Sequence, residues 1–390
     1  MSHNVENALS VVDAGENAPV VIAFSSVNSN GFSFYKSIER LPVSKIYVRD
    51  PYDNWFQRGI SPDINNPDIL SAHLRSALRL LRPRRVITMG ASMGGYAALL
   101  FGYLLRADSV FAMSPQTIID PRLPHTPTEN FSGAPYFDLM PLLRVKNRHR
   151  PNAHVLFGSD DIVDIWNACR LVPLPGDSSY PVAGRDHLAS NLVAANGDLI
   201  RVITALCEGQ EVALTAPLDR RCEQPRIKSI IDRLVRALYL DEPDLEPEEW
   251  ADRLRRLEPE WSVPYNVICM LARRKRDLVR AEKAAGQAVE FAPQSITLQT
   301  MHADILLQLG RETEAAAAYA RCLVIRPKHY AALCALGGLL ARAGKTDEAL
   351  ERLNAAIAIR PRLTRAHTLK AAITRGEAPR MSGEDKPEDM

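Results

Sequence analysis

Pro293, Pro327 and Pro361 stand at intervals of 34 residues, and nothing else in the chain restricts its fold as strongly. Ala281, Ala315 and Ala349 keep the same interval, as do Ala288, Cys322 and Ala356. The segments "AEKAAGQAVEFAP", "AAAAYARCLVIRP" and "ALERLNAAIAIRP" therefore align without a gap. Small residues let two helices approach closely, and a proline cannot continue the helix it follows. A unit of this length is a helical hairpin that buries its apolar face only by stacking on copies of itself. Gly337 and Gly344 fall where the third copy needs close packing and a turn between its helices. The first copy is degenerate, and "LTRAHTLKAAITR" (363–375) reads as a solvating cap. The expectation is a repeat region over residues 258–375, with a polar, disordered tail at 376–390.

Upstream of about residue 208 the pattern is different. Short β-branched runs, "APVVIAFSSV" (18–27), "KIYVRD" (45–50), "RRVITMG" (84–90), "DSVFAMSP" (108–115) and "AHVLFGS" (153–159), are bounded by Gly, Pro, Asp or Asn. A weaker one lies at "LVPLPG" (171–176). Helix-like stretches at 66–81, 93–105 and 162–171 alternate with them. Such alternation predicts a small doubly wound, mostly parallel sheet with helices on both faces, here over residues 1–217. The six prolines between 116 and 152 predict a long loop or small insertion near the top of the sheet. "IKSIIDRLVRALYL" and "PEEWADRLRRL" predict a helical linker over 218–257, bent at "DEPDLEPEE".

A net charge of +2 provides no field to recruit nucleic acid or an anionic membrane. No apolar run approaches the roughly 18 residues of a membrane span. The six cysteines show no metal-like spacing, so neither metal nor other cofactor is expected. Reduced thiols, and acidic residues where a leader would need basic ones, point to a cytoplasmic protein.

The chemistry concentrates in "ITMGASMGGYAALLFG" (87–102). A strand running into a helix places Ser92 at the turn, within G-x-S-x-G formed by Gly90, Ser92 and Gly94. That turn strains the serine backbone and lifts its hydroxyl clear of the strand, and the amide of Met93 faces a developing oxyanion. A serine nucleophile needs a base. Sheets with this turn supply an acid and then a histidine later in the chain. Of nine histidines, His3 and His73 precede Ser92, and His302, His329 and His367 lie in the repeats. His125 and His149 come before the late strand and His154 inside it, which leaves His187 in "AGRDHLASN". The acid should follow "AHVLFGS", where "GSDDIVD" offers three aspartates. Spacing favours Asp161, with Asp160 next and Asp164 read as a helix cap. The second oxyanion amide should come from Ser26 or Val27 after the first apolar strand. Tyr52, Trp55 and Arg58 in "RDPYDNWFQRGISP" form the expected substrate wall.

Through "GASMGG", "FGSDDIVD" and "GRDHLA" in that order, residues 18–207 resemble an α/β-hydrolase of the small serine-hydrolase kind. Residues 262–361 resemble tetratricopeptide repeats. The run from "MGASMGG" to "FAMSPQT" is also similar to hydrolase-like proteins that accompany bacterial surface-polysaccharide genes. The hydrolase resemblance implies a Ser–His–Asp acyl-enzyme mechanism without metal, on ester, thioester or sometimes amide substrates. No HGGG-type oxyanion loop and no large lid are present. The first reading is a carboxyl-ester hydrolase or deacylase whose repeats dock a protein partner. An acyltransferase with the same triad, acting for instance on an acylated glycan, and an idle hydrolase-like scaffold stand beside it.

Overall fold

The computed structural model describes residues 8–145, 150–171, 176–242, 246–377 and 379. His3, His149 and nearly all of the 376–390 tail lie outside the described residues. The chain forms two compact units, Met1–Glu246 and Pro247–Met390.

The first unit contains β1 (Leu9–Val12), β2 (Val20–Phe24), α1 (Tyr35–Ile38), β3 (Ser44–Val48), α2 (Pro67–Leu81), β4 (Val86–Ala91), α3 (Met93–Leu105) and β5 (Ser109–Met113). It continues with α4 (Met140–Leu143), β6 (Asn152–Gly158), α5 (Ile162–Leu171), β7 (Ser178–Val182), α6 (Ala189–Ala195), α7 (Asp198–Glu208) and α8 (Pro225–Tyr239). The seven strands lie in the order β1-β3-β2-β4-β5-β6-β7. β1 is antiparallel to β3, and every other pairing is parallel. β2, β3 and β5 are buried along their whole length, as strands covered on both faces must be.

Alternate residues of these strands serve opposite faces. Val21, Ala23, Ile87, Met89, Phe111 and Met113 pack with α1, α6 and α7 in one core. On the other face Thr88 donates to the Ala98 carbonyl of α3 (2.8 Å), and Phe24 stacks on Phe101 at 5.1 Å. α3 is apolar and buried from Met93 to Gly102 because sheet and neighbouring helices enclose it. α2 begins cleanly because the Asn66 side chain accepts from the Ile69 amide and Pro67 occupies the first turn.

Two strands lie beyond the sequence expectation. β1 is a four-residue edge strand with only its start buried, so it lacks an apolar signature. The last strand is β7, whereas Leu171 ends α5 and residues 172–175 lie outside the described residues. β7 carries Pro181, which an edge strand tolerates. The 217–219 segment seals that edge, with Ala183 N–H donating to Pro217 O and Asp219 N–H to Pro181 O.

The expected linker at 218–257 is divided. α8 buries Ile227, Ile230, Ile231, Leu234, Val235 and Leu238 and packs on α5 within the first unit. α9 (Pro247–Leu257) instead packs on α10 (Ser262–Arg274) in the second. A chain ending at Glu246 should therefore melt as one cooperative unit, seen by circular dichroism. A broad, non-cooperative melt would show that the second unit completes the first one's core.

The second unit stacks three helical hairpins. They are α10 with α11 (Leu278–Phe291), α12 (Ile296–Gln308) with α13 (Glu312–Ile325), and α14 (Tyr330–Arg342) with α15 (Thr346–Ile359); α16 (Thr364–Thr374) follows. Ala281, Ala315, Ala349, Ala288, Cys322 and Ala356 are all fully buried. The inter-helix turn repeats a left-handed residue every 34 positions: Arg276 (φ 58°), Gly310 (φ 74°) and Gly344 (φ 78°). An arginine where later copies have glycine is part of what made the first copy look degenerate.

Candidate active site

β3 and β4 flank β2 on opposite sides, so the chain reverses its winding direction between β2 and β4. Open parallel sheets form their crevice at the carboxyl ends of strands at such a point. Ser92 stands there, between β4 and α3, at φ 54° and ψ −122°. Few residues other than glycine adopt that conformation, and it costs about 1–3 kcal/mol.

The glycines around Ser92 are required by close backbone approach. A Cβ on Gly90 would lie 2.1 Å from Gly94 O, and one on Gly94 would lie 2.4 Å from Phe24 O. The strand, the turn and the first helical turn therefore touch through main chain alone. Gly94→Ala should destabilise the fold by about 1–3 kcal/mol in chemical denaturation. Gly31→Ala is the control, since nothing lies within 4 Å of that added carbon.

Ser92 Oγ lies 2.9 Å from His187 Nε2, and His187 Nδ1 lies 2.8 Å from Asp164 Oδ1. With a neutral imidazole, Ser92 donates to Nε2 while Nδ1–H donates to the carboxylate. Asp164 is 1% exposed, so its charge acts on the imidazole with little screening. The loop carrying His187 rests on the end of β6. A Cβ on Gly158 would meet Arg185 O and Asp186 O at 2.3 and 2.2 Å, and Asp160 N–H donates to Arg185 O at 2.8 Å.

The aspartates thus exchange the positions expected from sequence. Asp161 caps α5, its Oδ1 accepting from the amides of Val163 and Asp164 at 2.9 and 3.0 Å. Asp164, read as the cap, is one turn further on and faces His187. Asp161 Oδ2 takes a different partner, His125 Nε2, at 3.0 Å. The His125 ring stacks on His187, with centroids 3.8 Å apart and planes 5° from parallel. Chain order had set His125 aside, because it lies in the long loop after β5.

The loop after β2, where a second oxyanion amide is expected from sequence, is built by serine hydroxyls. Ser33 N–H donates to Ser25 Oγ (2.9 Å), Ser29 to Ser26 O (2.7 Å), and Ser26 Oγ–H to Ala91 O (2.8 Å) beside the nucleophile turn. Ser26 N–H donates to Ser33 Oγ at 3.2 Å, so of the two amides expected after β2 this one already has an acceptor. Met93 opens α3, and its amide has no acceptor inside the helix.

The expected substrate wall is only partly assembled. A cleft of about 350 Å³ is lined by Val27, Tyr52, Trp55, Thr126, Glu129 and Phe131 among others. Ser92 and His187 do not line it; Val27 and Thr126, which do, follow Ser26 and His125 in sequence. Trp55 is buried and donates to Gln116 Oε1 at 3.3 Å, whereas Tyr52 is half exposed. Arg58 does not line the cleft but pairs with Glu129, which does. Asp50 holds this wall, accepting from the amides of Tyr52, Asn54 and Phe56 at 2.9, 2.9 and 2.8 Å. Burial pushes its carboxyl up, against the pull of those amides. Among the described residues, no group of three or more His, Cys, Asp or Glu is arranged to hold a metal ion.

No curated protein matches the chain. Residues 306–373 match the tetratricopeptide repeat family. Among solved structures, the chain is similar to MamA from Desulfovibrio magneticus RS-1, at 15% identity over 39% of this chain and 86% of that one, with a TM-score of 0.36. The first tetratricopeptide domain of Spaghetti (RPAP3) bound to an HSP90 peptide matches at 13% identity, covering 30% of this chain and 91% of that one, with a TM-score of 0.28. The TPR2B domain of yeast Sti1 in complex with an Hsp70 peptide matches at 18% identity, covering 30% and 98%, also with a TM-score of 0.28. The chain thus joins a mixed α/β unit, built on a seven-stranded and mostly parallel sheet, to a tetratricopeptide-repeat segment at residues 306–373.

Proposed function

We propose that the first unit is a serine hydrolase of the α/β-hydrolase kind that cleaves carboxyl esters through an acyl-enzyme. The observation that carries this reading is the unbroken relay from Ser92 to His187 to Asp164, at 2.9 and 2.8 Å, on a strained turn at the sheet's switch point. Ser92 Oγ attacks the acyl carbonyl while His187 Nε2 takes its proton. The tetrahedral oxyanion accepts hydrogen bonds from the amides of Met93 and Val27. His187 returns the proton to the departing alkoxide, leaving the acyl group on Ser92. Water then repeats the sequence: His187 takes its proton, the hydroxide attacks the ester, and Ser92 recovers its hydrogen. Asp164 holds the imidazole in the correct tautomer and offsets its charge when protonated.

The repeats are the proposed docking surface for a protein partner, a role in keeping with the chaperone-peptide complexes of the similar domains. Six free thiols, five of them buried, accord with a reducing, cytoplasmic setting. Among the described residues no helix is long and apolar enough to cross a membrane.

A panel of short- and long-chain esters, with and without sugar acceptors, tests the reaction class. Hydrolysis that sugars leave unchanged supports the reading. Product acylated on the sugar would reassign the same relay to a transferase. No turnover on any ester, with Ser92 inert to acylating probes, would leave an idle scaffold.

A further inference from the structure

The proposed mechanism leaves one histidine–aspartate pair unused, and it lies against the one that mechanism uses. His125 reaches Asp161 from the loop spanning 114–139, in left-handed conformation at φ 63°. Thr126 beside it folds that loop back, its hydroxyl 2.6 Å from both Asp120 O and Leu123 O. Asp161 acts in two directions. Its Oδ1 fixes the start of α5 and the backbone of Asp164, while its Oδ2 holds the ring that covers one face of His187. A single carboxylate thus fixes the approach of both the acid and the base to Ser92.

We propose that His125 is a positioning residue: held by Asp161, it fixes the plane of the His187 ring and latches the 114–139 loop over the Ser92 relay. As far as turnover is concerned, this rests on the hydrolase reading. The groups facing the stacked rings are Asp161 and Asp164 from α5 and Asp186 from the loop before α6. Burial lowers the His125 pKa, but Asp161, with Asp164 and Asp186 behind it, outweighs burial and raises it to about 9. For Asp161, burial pushes the carboxyl up, and His125 and His187 more than reverse this, holding it well below the ordinary carboxylate range. The latch is therefore an ion pair at neutral pH. The contribution of His125 to stability is complete below the ordinary imidazole value of 6.5 and is lost as pH rises through about 9. The contribution of Asp161 is present above the ordinary value of 3.8 and is lost on acidification below it.

Three variants of the full chain test the latch by two independent readouts. A small displacement of a catalytic group costs up to about 10²-fold, so His125→Ala should lower kcat about tenfold while KM stays within about twofold. His125→Phe keeps a flat ring to stack and should recover part of kcat. It should also lack the fall in wild-type activity as pH passes about 9, where His125 loses its proton. Asp161→Asn still caps α5 and so should fold. Both His125→Ala and Asp161→Asn should speed amide exchange across 116–139, measured by mass spectrometry without reference to catalysis. Unchanged exchange in both variants overturns the latch, as does a His125→Ala kcat equal to wild type. If the wild type turns over no ester yet exchange still quickens in both variants, the hydrolase reading falls and the latch stands.

Discussion

Ser92→Ala should lower kcat on an activated ester by about 10⁶-fold, and His187→Ala should do the same. Combining the two costs little more, because nucleophile and base act as one unit. Ser92→Ala should not unfold the chain, since the side chain is only partly buried and lies outside the hydrophobic core cluster. Ser92→Gly carries the argument further. With Ser92 at φ 54° and ψ −122°, glycine removes a backbone penalty of about 1–3 kcal/mol. Its thermal midpoint should rise above that of wild type while turnover disappears. Strain held at a nucleophile for exposure, at the expense of stability, has this signature. An unchanged or lower midpoint for Ser92→Gly would show that the turn is not strained.

Asp164→Asn separates the structural assignment from the sequence expectation. An asparagine at Asp164 can donate to Nδ1 and hold His187 in the wrong tautomer, with a hydrogen already on Nε2 so that it cannot take the one Ser92 must give up, and a change of this kind costs about 10⁴-fold in kcat. Asp161→Asn should cost about tenfold, because that residue acts on the relay only through the start of α5 and through His125. Steady-state kinetics on one ester compares them directly. The order Asp164→Asn far below Asp161→Asn follows from the 2.8 Å bond to His187 Nδ1. The reverse order would return the acid's role to Asp161.

The aspartate that bonds His187 shows where the sequence stopped being legible. "GSDDIVD" places three carboxylates within five residues, and which one faces the histidine depends on where α5 begins. A helix start shifted by one residue rotates every later side chain by about 100°. Asp161 followed three residues later by Asp164, just before an apolar run, is the spacing of a helix cap and its third helical residue. Read that way, Asp161 is the cap and Asp164 is left to reach the base. Ser92 and His187, 2.9 Å apart in the structure, could be singled out because a strained turn needs glycines and because chain order sets the other histidines apart. His125 could not be, since order along the chain says nothing about a loop folding back over the sheet. Sequence left Ser26 and Val27 equal for a similar reason, the acceptor of the Ser26 amide being Ser33 Oγ, seven residues away. The repeats were the most legible part: each residue of the 34-residue register is a buried small side chain or follows a helix end.

The central claim is that Ser92 is a nucleophile activated by His187 and Asp164. Treating the folded chain with a fluorophosphonate and mapping the adduct by peptide mass spectrometry tests it most directly. One adduct on Ser92 is predicted, absent in Ser92→Ala and formed far more slowly in His187→Ala and Asp164→Asn. A folded wild-type chain that stays unlabelled, or one labelled equally fast without His187, would contradict it.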